Sequence, residues 1–539
     1  MTMPNVLRYI TIFLIGTLLF VPFLGQVHLF DWDEINFAEC AREMLVSKDY
    51  LRMQINYRPF WEKPPLFIWL QVLSMKAFGI NEFAARFPNA LAGVVTLVAL
   101  YYTGKRIINE RLAIWWVILY AATWLPHFYF KSGIIDPIFN LFIFLAFVQV
   151  YFIKYGQNKY LHALLTGVFL GLAVMTKGPV AILIAGLSFT TYLIINKGFT
   201  GYKLLHLLTI AVATLLTTAL WFGVEILQHG FWFINEFITY QIRLFKTEDA
   251  GHGGPFFYHF IVLLIGCFPA APFLFQYFKK QRAENTQQSD FVKWMWIMFW
   301  VVLLLFSIVK TKIVHYSSLC YFPLTFLAAL QLYRIAEGKV SLLKPVKILL
   351  TVIGLVLAIA IICLPLVGLN KDILIPLIDD PFAVGNLQAN VHWSIAEISW
   401  GLIYLIGIIT AVVLMRKEFR KGILVLCAVQ IITIQVTVLH FTPKIEAISQ
   451  RAAIEYFQSF IGKDVYVHVL GYKSYAHLFY TRKQPPTNNS YDNEEWLLTG
   501  NIDKPAYFIC KVMEADKYRA MPQLEETGSK NGFVFFKRK

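Results

Sequence analysis

The chain reads as an all-helical polytopic membrane protein with a small α/β domain after its last crossing. Three observations carry that reading. Of 539 residues 58% are hydrophobic and 15% charged. The apolar residues fall in long runs, and each helical crossing of a bilayer needs about 20 of them. Lysine and arginine collect in alternate connections between the runs, whereas the unusual acidic and histidine residues collect in the others. Single strands are excluded as spanning elements because their backbone groups would go unpaired in lipid.

Taken in order, the first crossing is expected over 9–27, after Arg8 and without a small-residue cleavage site, so it reads as retained. Further crossings are expected near 86–104, 112–130, 137–153, 160–176, 178–196, 204–224, 256–278, 292–309, 316–333, 346–367, 395–415 and 422–440, about thirteen in all. Residues 66–80 carry Gln71 and Lys76 and are short for a crossing. They are expected to lie along the interface. With that choice every connection rich in Lys and Arg, from Lys105/Arg106 to Arg416–Lys421, falls on one side, as the positive-inside rule requires. The segments 28–85 and 225–255 are then the long outward loops of a membrane domain 1–443. Residues 444–539 form the outward α/β domain, with strands near Asp464–Leu470, Pro505–Val512 and Gly532–Phe536 and a helix near Ser474–Tyr480. It carries no catalytic constellation and reads as an acceptor contact, a cover over the site or a structural element.

The net charge of +15 sits in these short connections, so it reports topology and excludes a nucleic-acid groove. The six cysteines show no metal-ligand spacing and no disulfide framework.

Chemistry-bearing residues cluster on the outward side. Asp33 and Glu34 open a helix in which Phe37, Ala41, Met44 and Leu45 share one face and Asn36, Glu39 and Glu43 the other. In Arg58-Pro-Phe-Trp-Glu-Lys-Pro-Pro65 the prolines stiffen the segment that presents Glu62 and Lys63, and a lysine so placed suits a lipid phosphate. Asp136, at the start of an apolar run, needs a partner or a polar cavity. Lys177, Lys310, Lys312 and Tyr316 lie at other outward ends and suit anion binding or interfacial anchoring. His252, in a glycine-rich loop, is a candidate cation ligand together with Glu62.

These residues resemble a known family. The stretch around Asp33-Glu34, Phe60-Trp-Glu-Lys-Pro-Pro65, Ser132-Gly-Ile-Ile-Asp136-Pro, Met175-Thr-Lys-Gly178, Glu248–His252 and Lys310–Leu324 are similar to bacterial lipid A aminoarabinose transferases (ArnT-like) and their relatives among the protein O-mannosyltransferases. The resemblance implies a GT-C glycosyltransferase fold and a sugar donor carried on polyprenyl phosphate. Its site would face the periplasm of a bacterial inner membrane. It implies catalytic roles for Asp33 and Asp136, with Glu34 beside them. Lys63 would contact the donor phosphate, with Arg58, Lys177, Lys310, Lys312 and Tyr316 as further candidates. Zinc would be held by Glu62 and His252, and no organic cofactor is expected. The acceptor stays open among lipid A phosphate, an envelope glycan and protein hydroxyls, and the enzyme is expected to act as a monomer in membrane lipid. A transporter is the alternative of another class, but it should place ionisable groups near mid-membrane, not at one mouth.

Overall fold

The computed structural model describes residues 5–248, 253–278 and 285–539. Among them, nine helices are long and apolar enough to cross a membrane, or ten if the bent pair Tyr258–Gly266 and Ala271–Phe278 counts as one. This corrects the expected thirteen. Hydropathy windows merge what the backbone divides. The run 112–130 is broken into helices Glu110–Ala121 and Trp124–Tyr129, and the runs 9–27 and 178–196 fold as Asn5–Phe20 and Val180–Ile195, each of 16 residues. Leu66–Phe78 is a 13-residue helix, too short to cross, as its length and its polar residues predicted.

The first loop is built on the helix Asp33–Ser47, which is buried from Glu34 to Met44. Its polar face is therefore not a solvent face. Glu39 forms a bidentate pair with Arg42 (2.7 Å and 2.7 Å), and Glu43 accepts hydrogen bonds from the Asn56 and Tyr57 backbone N–H groups at 2.7 and 2.8 Å. The Glu43 contacts pin a two-residue hairpin, Gln54–Ile55 against Arg58–Pro59, whose turn residues Asn56 and Tyr57 have φ of 58° and 56°. The chain leaves this hairpin through Phe60–Pro65 directly into Leu66–Phe78, which packs on Asp33–Ser47 and on the long helix Glu82–Ile107. Asn81 caps that long helix by accepting the Ala84 N–H at 2.9 Å.

The C-terminal region holds a four-stranded mixed sheet in the order 466–470, 506–511, 533–538, 524–530, with the first pair parallel and the others antiparallel. Three strands and the helix Ala476–Thr481 match the expectation. The fourth, Leu524–Lys530, is an edge strand of sequence LEETGSK, and its polarity hid it. The expected boundary at 443/444 falls inside one continuous helical run, Phe419–Ser449. The sheet region is tied to the first loop: the Leu29 N–H donates to the Tyr480 hydroxyl (2.7 Å), Lys483 donates to Asn56 (2.7 Å), and Tyr57 donates to the Lys483 carbonyl (2.7 Å).

Candidate active site

A cavity of about 1350 Å³ lies where the first loop, the ends of several long helices and the C-terminal sheet meet. That exceeds the roughly 300–1,000 Å³ usual for one small ligand. Asp33, Glu62, Lys63, Asp136, Lys177 and Tyr316 all line it, although they are scattered through the chain.

Each is positioned by local structure. Asp33 is the first residue of its helix, where a carboxylate complements the helix dipole. Asp136 plays the same part in Asp136–Tyr155, with Pro137 at the first turn. Lys177 ends Lys159–Lys177, and the chain turns sharply at Gly178 (φ 90°), where a Cβ would strike the Phe237 ring. Lys63 is held between the hairpin and the helix Leu66–Phe78, with its ammonium 5.3 Å from the centre of the Tyr240 ring.

The centre of the site is a bridge between two carboxylates. His315 Nε2 lies 3.4 Å from Asp33 Oδ2 and 3.7 Å from Asp136 Oδ2. Lys177 Nζ donates to Asp136 Oδ1 at 2.5 Å and stands 5.1 Å from the centre of the Tyr316 ring. Asp136 is 2% exposed, yet its Oδ2 makes no hydrogen bond among the described residues. A buried carboxylate oxygen with spare capacity is available to a bound hydroxyl or amine. Burial pushes the Lys63 ammonium below its ordinary range, and the Asp33 and Glu62 carboxylates partly restore it.

Glu34 is turned to a different task. Its carboxylate forms a bidentate pair with Arg86 (2.8 and 2.7 Å) and accepts the backbone N–H groups of Phe30 (2.9 Å) and Gly133 (2.5 Å). Arg86 spends its remaining donors on the carbonyls of Leu24, Val27 and His28. The pair therefore locks the segment after the first helix, the start of the Asp33 helix and the loop before Asp136 into one frame. Burial raises the Glu34 carboxyl, but the Arg86 charge and these hydrogen bonds hold it below the ordinary carboxylate range.

Three expected phosphate ligands lie elsewhere. Arg58 is more than half exposed and pairs with Asp492 at 3.1 Å, because the hairpin turns it toward the sheet region. Lys312 is buried and donates to the carbonyls of Phe306, Ser307 and Val309 (3.1, 2.6 and 2.5 Å), so it caps the end of Thr286–Ile308. Lys310 is exposed and does not line the cavity. His252 lies outside the described residues. Among those described, no three His, Cys, Asp or Glu side chains are grouped to hold a metal ion.

Several lining residues carried no catalytic assignment from sequence. His315 was legible only as half of a histidine–tyrosine pair suited to anion binding or anchoring, not as a bridge between Asp33 and Asp136. Arg86 was absorbed into a crossing, although a guanidinium in the second turn of a 26-residue apolar helix is itself a signal of a polar partner. Lys131, whose Nζ donates to the Pro22 carbonyl at 2.9 Å, also lines the cavity, as do Lys473 and Lys511 of the sheet region.

Residues 62–222 match the family described as dolichyl-phosphate-mannose-protein mannosyltransferase. An undecaprenyl phosphate-α-4-amino-4-deoxy-L-arabinose arabinosyl transferase of Wigglesworthia glossinidia brevipalpis is 28% identical over 348 residues, covering 63% of this chain and 61% of the relative. The namesake of Enterobacter sp. (strain 638) is 27% identical over 407 residues, covering 74% of this chain and 71% of its own. The chain thus spans about three fifths of the length of the first relative. A crystal structure of ArnT from Cupriavidus metallidurans bound to undecaprenyl phosphate superposes with a TM-score of 0.78 over 99% of this chain and 98% of that one, at 17% identity, and shares the fold. The chain is thus similar to the mannosyltransferase family over residues 62–222 and to these arabinosyl transferases over about three fifths of its length or more, and it shares the fold of ArnT over nearly its whole length.

Proposed function

We propose that this protein is a membrane glycosyltransferase that moves a sugar from a polyprenyl-phosphate carrier to an acceptor in the same cavity. The observation that carries this is the convergence of Asp33, His315, Asp136 and Lys177 within one cavity that Lys63 also lines. Its apolar walls include Val180, Leu183, Leu305 and Phe306, a surface suited to an isoprenoid chain. What the relatives are named for, transfer from undecaprenyl phosphate, supports the same reading.

In the proposed step an acceptor oxygen attacks the anomeric carbon as the bond from that carbon to the phosphate oxygen breaks, inverting configuration. The leaving group is the polyprenyl phosphate, whose growing charge Lys63 and Lys177 offset. An acceptor hydroxyl delivers its proton to Asp33, a general base whose orientation His315 controls. An acceptor phosphate arrives already ionised, and Asp33 then steadies positive charge on the sugar ring. The free Oδ2 of Asp136 is placed to receive a sugar hydroxyl or amine.

The sugar is 4-amino-4-deoxy-L-arabinose or a relative of it, and lipid A phosphate is the leading acceptor. Transfer to protein or glycan hydroxyls is the second reading, favoured by the match of 62–222 to protein mannosyltransferases. The site faces the periplasm of a bacterial inner membrane, with 444–539 on the same side, and the protein acts as a monomer. Zinc on Glu62 and His252 enters no step here, His252 lying outside the described residues.

The test is transfer of labelled sugar from a polyprenyl-phosphate donor by the purified chain, with mass spectrometry of lipid A and glycoproteins to identify the acceptor. Asp33→Asn should lower turnover by about 10²–10⁴-fold while the protein still inserts and binds donor. Near-normal turnover in that variant removes Asp33 from the mechanism, and no transfer from any such donor removes the function.

A further inference from the structure

The C-terminal region reaches into the first loop at the hairpin that leads to Lys63. That hairpin turns on Asn56 and Tyr57, both with positive φ (58° and 56°). Such a two-residue turn favours glycine at its second position, and the Cβ of a tyrosine there resists the left-handed conformation. Local sequence does not hold this turn, so bonds from outside must. Glu43 supplies one side through the two backbone N–H groups. The loop between the helices Ala476–Thr481 and Glu494–Thr499 supplies the other. Lys483 Nζ donates to the Asn56 side chain (2.7 Å), the Lys483 carbonyl accepts the Tyr57 hydroxyl (2.7 Å), and the Tyr491 hydroxyl donates to the Asn56 carbonyl. The Lys483 ammonium also lies 4.7 Å from the centre of the Tyr491 ring, so each grip supports the other. The exposed Arg58–Asp492 pair lies beside this grip and adds little to it.

The gripping loop is itself anchored. Arg482 donates to the Ile80 carbonyl at 3.2 Å, and Asn493 caps the next helix by accepting the Trp496 N–H at 2.9 Å. Tyr491 is buried, which fixes where its hydroxyl can point. What the turn fixes lies a few residues further on. The Phe60 N–H donates to the Met53 carbonyl at 2.9 Å and carries the hairpin one step past Arg58–Pro59. Beyond it the Trp69 N–H bonds to the Pro65 carbonyl (2.9 Å) and starts Leu66–Phe78. Glu62 and Lys63 stand between these two fixed points and line the cavity. Asn56, Tyr57, Lys483 and Tyr491 do not line it. They can act on a bound donor only through the segment they hold.

We infer that Lys483 and Tyr491 are positioning residues: their loop clamps the hairpin and thereby sets where the Lys63 ammonium meets the phosphate of a polyprenyl donor. The C-terminal region then serves donor binding from outside the cavity, because a small displacement of a charge from its phosphate costs much of their interaction. The inference rests on the proposed transfer, in which Lys63 contacts that phosphate.

The experiment uses the full chain in phosphatidylcholine nanodiscs and reads two things: affinity for polyprenyl phosphate and for the matching polyprenol, and amide hydrogen exchange. Lys483→Met with Tyr491→Phe should weaken polyprenyl phosphate about fivefold and leave polyprenol unchanged. Exchange should quicken at residues 54–63 and stay unchanged in the strands Tyr466–Leu470 and Ala506–Lys511. Tyr491→Phe alone, which deletes one hydroxyl, should do the same on a smaller scale, about twofold, and is the variant to read if the pair loosens those strands. In a Lys63→Ala background the pair should weaken polyprenyl phosphate no further, because the ammonium it positions is gone. Tyr57→Gly, which takes the Cβ out of the turn, should restore most of the affinity lost in the paired variant. Unchanged exchange at 54–63 overturns the inference, as does a loss of affinity that persists undiminished in the Lys63→Ala background. A wild type that prefers polyprenyl phosphate to polyprenol, beside variants that bind it equally well, overturns the inference alone. A wild type that binds polyprenyl phosphate no tighter than polyprenol defeats the proposed function, and the inference with it.

Discussion

Replacing Glu34 by glutamine separates a framework role from a chemical one. In the wild type four donors converge on the Glu34 carboxylate, two from Arg86 and one each from the Phe30 and Gly133 backbones. An amide offers one oxygen, and its NH₂ must face two of those donors. Arg86 then keeps a positive charge with three backbone carbonyls but no counterion, in a site where Glu34 is 5% and Arg86 5% exposed. Breaking a buried pair from one side destabilises by about 3–5 kcal/mol. By contrast Asp33, 29% exposed at its side chain and 3.4 Å from His315, loses on the order of 1 kcal/mol or less as asparagine. The assay is thermal inactivation of detergent-purified protein, run beside transfer activity. Glu34→Gln should lower the inactivation temperature by several degrees and reduce transfer in proportion to the folded fraction. Asp33→Asn should lower transfer by about 10²–10⁴-fold with little thermal change. The pH dependence carries a sign. Glu34 has a folded pKa held below its ordinary 4.5, so its contribution is present above that value and is lost as pH falls below it. Glu34→Gln should flatten that acid-side decline. A variant of unchanged thermal stability and unchanged acid sensitivity, but without activity, would refute the framework role and make Glu34 a reacting group.

Lys63→Ala should raise the donor KM more than it alters stability, because the ammonium is half-buried over Tyr240 and faces the cavity; an unchanged donor KM counts against the phosphate contact. Arg58→Ala removes only an exposed pair with Asp492, so transfer, donor KM and thermal stability should all match the wild type. Lys312→Met should lower thermal stability by about 1–3 kcal/mol, through the carbonyls of Phe306, Ser307 and Val309 that it leaves bare, without a selective effect on donor KM.

Polarity pattern along the chain pointed to the membrane class, a short helix over 66–80 that does not cross, three of the four C-terminal strands, and Asp33, Lys63 and Asp136 as candidates for one site. Each of those signals is local. A charged group beside an apolar run must find a partner, a proline pair stiffens the residues between, and alternating apolar residues mark a buried strand. The number of crossings was less legible, because hydropathy sums over a window and does not register a break such as Thr123, where one apolar run becomes two helices. Tertiary structure alone decided which charge meets which. Arg58, Lys63 and Lys312 look alike in the sequence as isolated cations in segments expected to face outward. Hairpin geometry sends the first to Asp492, the stiff segment holds the second in the cavity, and a helix end captures the third. The same holds for Glu34 and Asp33, neighbours in sequence whose side chains leave the helix in different directions, one onto Arg86 and one toward His315. Pairing is set by distance through space. The chain supplies the charges, and only the packed helices set the distances between them.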